Sequence, residues 1–162
     1  MANVTEVQIA CTTEGLESLV SSIINGTALN ISAFRVCDLG NTTWFNNMKS
    51  FTGLDPDSYY FPYTATLFDS DKGSNIINLN TYGIGDANGF IDINSILAAD
   101  SITIEFDCYI PPTALYGFGC NEIMLYTLDS STGIYKSFIY GIFPEITKLA
   151  QYGINFRVLL KF

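Results

Sequence analysis

Histidine is missing altogether from this chain of 162 residues, and basic side chains are scarce, with seven Lys and Arg against sixteen Asp and Glu. Without an imidazole, every Ser-His or Cys-His nucleophile pair is excluded, and no His can complete a zinc site. G-x-S-x-G and phosphate-loop patterns are absent as well. Nucleic-acid binding depends on neutralising phosphates with Lys and Arg. A net charge of −9, with Arg35, Lys49, Lys72, Lys136, Lys148, Arg157 and Lys161 scattered, argues against that class of partner. No apolar run approaches the ~18 residues of a membrane span, and no basic amphipathic stretch fits a membrane surface. The opening MANVTEVQIACTTEG has neither the basic nor the apolar region of a secretory signal. Synthesis in a cytoplasm is therefore expected, and the Asn-x-Ser/Thr sites at Asn3, Asn25, Asn30 and Asn41 read as loop composition.

Charge of either sign is thin, at 14% of residues against a usual ~25%, while 48% are apolar. That composition argues against disorder. One domain over residues 1–162 is the expectation for a chain of this length. So few charges imply a surface made of Asn, Ser, Thr, Gly and Tyr, or one covered by a partner. Cys11, Cys37, Cys108 and Cys120 lack C-x-x-C spacing and are expected to be free thiols, with Cys108 in an alternating apolar row.

Periodicity supplies the fold class. Val7, Ile9 and Cys11 alternate as a strand would. TTEGLESLVSSIING then changes period: Leu16, Leu19, Val20, Ile23 and Ile24 follow the spacing of one helix face, expected to lie on a sheet. Thr12 or Thr13 suits its start and Asn25-Gly26 a left-handed stop. ISAFRVCDLG reads as a strand, and Gly40 to Tyr60, with the only Trp at position 44, as an irregular excursion. NIINLNTYGI is expected to be a strand and GDANGFIDINS a loop. SITIEFDCYI alternates most clearly. Ile102, Ile104, Phe106, Cys108 and Ile110 share one face, and Thr103, Glu105, Asp107 and Tyr109 the other. NEIMLYTLDSSTGIYKSFIYGIF reads as a hairpin turning at Asp129 to Gly133. In INFRVLLKF, Ile154, Phe156, Val158, Leu160 and Phe162 share a face. The expected architecture is mainly β (α+β): an antiparallel sheet or sandwich with one early amphipathic helix packed on it.

Three chemistries are conceivable on this frame. Glu105 and Asp107 sit about 7 Å apart on one strand face, near the spacing of glycosidase carboxylates, but any strand with two outward acids gives this, and a solvated face is the favoured reading. Asp69 and Asp71 before Gly73, and Asp86, Asn88 and Asp92 around Gly89, carry oxygen ligands of the kind calcium needs. Turn formation explains the same residues and is favoured. The second stretch faintly resembles a dockerin loop, but it lacks the next acidic ligand. Among the aromatics, Tyr59, Tyr60 and Tyr63 are the candidates for a sugar-stacking platform, most others being core or interface. No catalytic, cofactor-binding or metal residue is assigned, and no enzyme activity or cofactor is expected.

The ends of the chain resemble a known family. CTTEGLESLVSSIINGTALNISAFRVCDLG is similar to the opening of bacteriophage tail-collar and tail-fibre attachment domains. The matching residues are Thr12 or Thr13, Gly15, Leu16, Leu19, Gly26, Leu29, Ile31, Phe34, Val36, Asp38 and Gly40. GCNEIMLYTLDSSTG, YGIFPEITK and INFRVLLKF follow in the family's order, whereas residues 40–101 match poorly. The resemblance implies that FPEITK is a turn after a strand. It also implies that the chain is a structural component of a phage virion, a fibre or baseplate attachment or adaptor subunit in the tail region. Its partners would be copies of itself, in three-fold sets or a tail ring, and other tail, baseplate or fibre proteins, with the FPEITK turn and the last strand near a subunit contact. The alternative is a carbohydrate-binding or host-receptor recognition β domain.

Overall fold

Residues 8–11, 13–38, 75–112 and 117–161 are described in the computed structural model. In chain order they form β1 (Gln8–Cys11), α1 (Thr13–Asn25), β2 (Ile31–Asp38), β3 (Asn75–Ile76), β4 (Ile91–Asp92), β5 (Ser95–Asp100), β6 (Thr103–Ile110), β7 (Phe118–Asp129), β8 (Ile134–Lys148) and β9 (Ile154–Lys161). A single 3₁₀ turn, Asn80–Tyr82, lies between β3 and β4. Two antiparallel sheets result. The larger runs β1-β8-β7-β2-β3, with β4 also on β2, and the smaller runs β5-β6-β9. The mainly β architecture with one early helix is the one that the periodicity called for.

A single apolar core joins the sheets. Phe34 pairs with Leu125 and Val36 with Ile123 across β2 and β7, and these four belong to one buried cluster with Phe106, Cys108, Ile110, Phe156 and Val158 of the smaller sheet. The Phe143 and Phe156 rings, 5.6 Å apart, link β8 to β9. Burying a side chain such as Phe34 fully contributes about 1.5–3 kcal/mol. The alternate residues of β2 and β7, namely Ala33, Arg35, Cys37, Met124 and Tyr126, are buried too. These central strands are therefore covered on both faces, which is why their sequences run nearly continuously apolar instead of alternating.

Local chemistry sets the ends of the elements. Gly26 takes φ 63° after α1, and Thr27 N–H donates to the Ser22 carbonyl at 3.1 Å. This is the bond of a Schellman stop. Between β7 and β8, Gly133 adopts φ 70° and donates to the Asp129 carbonyl at 2.7 Å. Asp129 Oδ1 accepts from the amide and hydroxyl of Ser131, an Asx turn whose hydrogen bonds hold the Asp129 carboxyl below its usual pKa.

Three expectations are corrected. FPEITK is not a turn: β8 continues through it to Lys148. Cys120 pairs with Ile146 but Glu122 with Ile142, so four steps on β8 face two on β7 and Phe143 to Glu145 form a bulge. A bulge is where a strand tolerates a proline, which has no N–H for the ladder. NIINLNTYGI is strand only at its start. Asn78 Oδ1 accepts from Asn80 N–H, and the Asn78 and Asn80 side-chain amides donate to the carbonyls of Ala87 and Gly85. Side-chain amides thus replace ladder partners there. Finally, GDANGFIDINS contains β4 and leads into β5 at Ser95, where a loop was expected. The expected excursion from Gly40 to Tyr60 lies outside the described residues.

Candidate docking surface

The helix meets the sheet through its small residues. Gly15 is buried, and Ser18, Leu19 and Ser22 are partly covered. A Cβ at Gly15 would stand 2.5 Å from the Phe138 carbonyl oxygen, so glycine alone permits this approach of α1 to β8. Leu19 packs against the core cluster. The expected stripe is thus only partly correct. Val20, Ile23 and Ile24 are 54%, 73% and 76% exposed, because the contact face is centred on Gly15, Ser18 and Ser22 and rotates these three off the sheet. Val20 and Ile24 border an open apolar groove with Leu16, Glu17, Ser21 and Asn25.

A second open surface lies on the smaller sheet. β5 and β9 are its two edges among the described residues. Ile96 and Leu97 of β5 are 49% and 51% exposed, and SILAAD carries no Lys or Pro of the kind that guards sheet edges.

Glu105 and Asp107 share a face of β6, as the alternation required. Each is already engaged. Arg157 sits across from Asp107 on β9, and its Nε donates to Glu105 Oε1 and lies 3.9 Å from Asp107 Oδ1. Ser95 Oγ donates to Asp107 Oδ2 at 2.8 Å. The Glu105 hydrogen bond and charge push the Arg157 guanidinium above its usual pKa. This arrangement makes a cross-strand ion pair, and Glu105 is buried within it, where a solvated face was expected. Its sequence signal was Arg157, the one cation in INFRVLL.

Around Gly89, the turn reading describes what is seen. Asp86 Oδ1 accepts from the amides of Asn88 and Phe90 at 2.9 and 3.0 Å, and Asp86 N–H donates to the Phe90 carbonyl at 2.9 Å. Gly85 and Gly89 supply the positive φ of this turn. Asp92 is separate and exposed on β4. Among the described residues no three His, Cys, Asp or Glu side chains gather as metal ligands. Asp69, Asp71, Tyr59, Tyr60 and Tyr63 lie outside the described residues.

The same turn builds a cluster that the sequence reading missed. Phe90 lies under the Arg35 guanidinium, 4.2 Å from its carbon, and stacks on Tyr135 at 4.1 Å and 19°. Arg35 Nε and Nη2 donate to Tyr126 Oη at 3.0 and 2.8 Å. The available signal was Arg35, a cation inside the otherwise apolar ISAFRVC.

Cys37, Cys108 and Cys120 are free and buried, in keeping with the expected thiols. Burial pushes all three pKa values up, that of Cys120 to about 12, which makes them poor nucleophiles. Lys148 is buried as well, with Nζ donating to the Leu149 carbonyl at 3.0 Å, and burial lowers its pKa. No helix among the described residues is long and apolar enough to cross a membrane. Comparison with protein-family models, curated proteins and solved structures found no match.

Proposed function

We propose that this chain is a structural subunit of a phage tail or tail-like particle, an attachment or adaptor piece that docks fibre or baseplate proteins. One observation carries the reading: the outward apolar row of Val20, Ile23 and Ile24 on α1. Large aliphatic side chains in a contiguous exposed row mark contact surfaces, and obligate interfaces resemble a domain core cut in half. The low charge and the open edges of the smaller sheet favour the same role, as do the order and spacing of the family-like segments at the two ends. In this reading α1 is the contact element, and the subunit is repeated around a three-fold axis or a tail ring. Its place is the virion, in the tail or baseplate region.

The test is an Ile23→Asp/Ile24→Asp double variant, compared with the parent for its fold, its sedimentation and its incorporation into purified particles. The expected result is a folded chain that no longer assembles. A parent protein that sediments as a stable monomer and is missing from particles overturns the proposal.

A further inference from the structure

We infer that Tyr135 is the platform of a binding site for a neutral sugar ring, with the carboxylates of Asp86 and Asp92 as hydrogen-bond acceptors at its rim. The inference does not rest on the particle reading. It begins with rigidity. One face of the Tyr135 ring is held by Phe90 at 4.1 Å and 19°. Phe90 is itself fixed on its amide and carbonyl by Asp86 and on its ring by Arg35. A second contact, edge to face with Tyr126 at 4.8 Å, also locks Phe90. Little side-chain freedom is left to lose on binding, and pre-organisation of this kind raises affinity. Tyr135 nevertheless remains half-buried, not enclosed.

Polar groups then converge on it. Asp92 follows Phe90 by two residues and lies across from Ala33, itself the partner of Tyr126. Asp86 spends only Oδ1 on the turn. Its Oδ2, the Asp92 carboxylate and Tyr135 Oη make no hydrogen bond among the described residues, and Asp86 and Asp92 are both exposed. Both charges reach the phenol and, after partial burial, contribute to raising its pKa, so Oη stays a hydrogen-bond donor at neutral pH.

An apolar ring face bordered by acceptors and one hydroxyl fits a pyranose, which offers C–H groups on one face and hydroxyl donors around its edge. A chain of net charge −9 selects against sulfated or sialylated sugars and for neutral ones. A cationic ring-stacking ligand is the competing chemistry for this pocket of charge.

The experiment is calorimetric titration of the full chain with maltohexaose, chitohexaose, cellohexaose and mannohexaose, and with tetramethylammonium as the cationic probe. The expected result is saturable binding of at least one oligosaccharide. Tyr135→Ala and Asp92→Asn should each weaken it by about tenfold or more, equivalent to ~1.4 kcal/mol, while Tyr135→Phe keeps most of it. Asp92→Asn is an exposed, near-isosteric change, so it keeps the test valid should Tyr135→Ala fail to fold. Silence across the four sugars overturns the inference. So does sugar binding indifferent to both substitutions, or saturable binding of tetramethylammonium alone.

Discussion

Replacing Gly15 by alanine sets two effects of opposite sign against each other. In a helix interior, alanine is favoured over glycine by about 1 kcal/mol, so an exposed Gly15 would make the substitution stabilising. In the structure a Cβ there lies 2.5 Å from the carbonyl oxygen of Phe138, 2.8 Å from its Cα and 3.0 Å from its carbonyl carbon. All three atoms are backbone of β8, at a residue flanked by the ladder pairs of Ser137 and Ile139 with β7, so they cannot swing aside as a side chain would. Reaching ordinary contact requires the helix to retreat by on the order of 1 Å. Overpacking of this kind costs about 1–3 kcal/mol, and the retreat also loosens Leu19 from the core. The clash outweighs propensity, and the net expectation is a loss of about 1–2 kcal/mol. Equilibrium urea unfolding reads it as a lower midpoint at constant slope, and thermal unfolding as a fall of roughly 3–6 °C. A midpoint that rises for Gly15→Ala would show that α1 does not seat on β8 through this face.

Other outcomes are as definite. Ile23→Ala should leave the stability of the isolated chain within about 0.5 kcal/mol, as for most surface changes, whereas Leu19→Ala should cost about 1–3 kcal/mol, short of a fully buried leucine; equal losses by urea unfolding would contradict the helix orientation. Gly133→Ala meets no neighbouring atom but sits at φ +70°, so about 1–2 kcal/mol of backbone strain is expected, measurable in the same assay. Cys37, Cys108 and Cys120 should resist a disulfide reagent in the native chain and react on unfolding. Their thiols stay protonated when folded, while in the unfolded chain they ionise near the ordinary value of 9.0. The unfolded state then binds fewer protons, and stability falls as pH rises above ~9, by up to ~1.4 kcal/mol per pH unit for each thiol. Cys108→Ala should make that slope shallower between pH 9 and 11.

What could be read from the sequence follows from how locally each signal is encoded. α1, β2, β6, the β7–β8 hairpin and β9 carry their own period or turn residues, and Gly26 and Gly133 mark stops through their own φ. β5 carries no alternation: SILAAD is a short run dominated by small residues and becomes a strand by pairing with β6. The alternation of Ile77, Asn78, Leu79 and Asn80 is real, since Ile77 and Leu79 are buried and the two Asn exposed, but Asn side chains capture the backbone bonds that a strand would need. Pro144 reads as a break, yet a bulge carries β8 past it. Helical spacing finds an amphipathic face without saying which edge of it touches the sheet. That edge is set by where small residues let backbones approach, and only the partner β8 shows this. The Arg35–Phe90–Tyr135 stack joins residues from β2, the turn before β4, and β8, and no local pattern announces such a meeting.

The strand order also dictates when each piece can find its place. Among the described residues β1 pairs with β8 alone, and β2 meets β7 with Cys37 against Glu122 and Ile31 against Thr127, partners about 90 residues later in the chain. At ~5–20 residues per second, a ribosome leaves β1, α1 and β2 waiting roughly 5–20 s before β7 exists to receive them. β5 and β6 are adjacent in sequence and free to pair early, and the hairpin of β7 and β8 closes soon after it is made. Folding is therefore paced by late, long-range closure, the slow regime for a β topology. β3 and β4 reach one edge of β2 earlier, but the edge that β7 will take stays open throughout that interval, and an unpaired edge on an apolar strand invites aggregation.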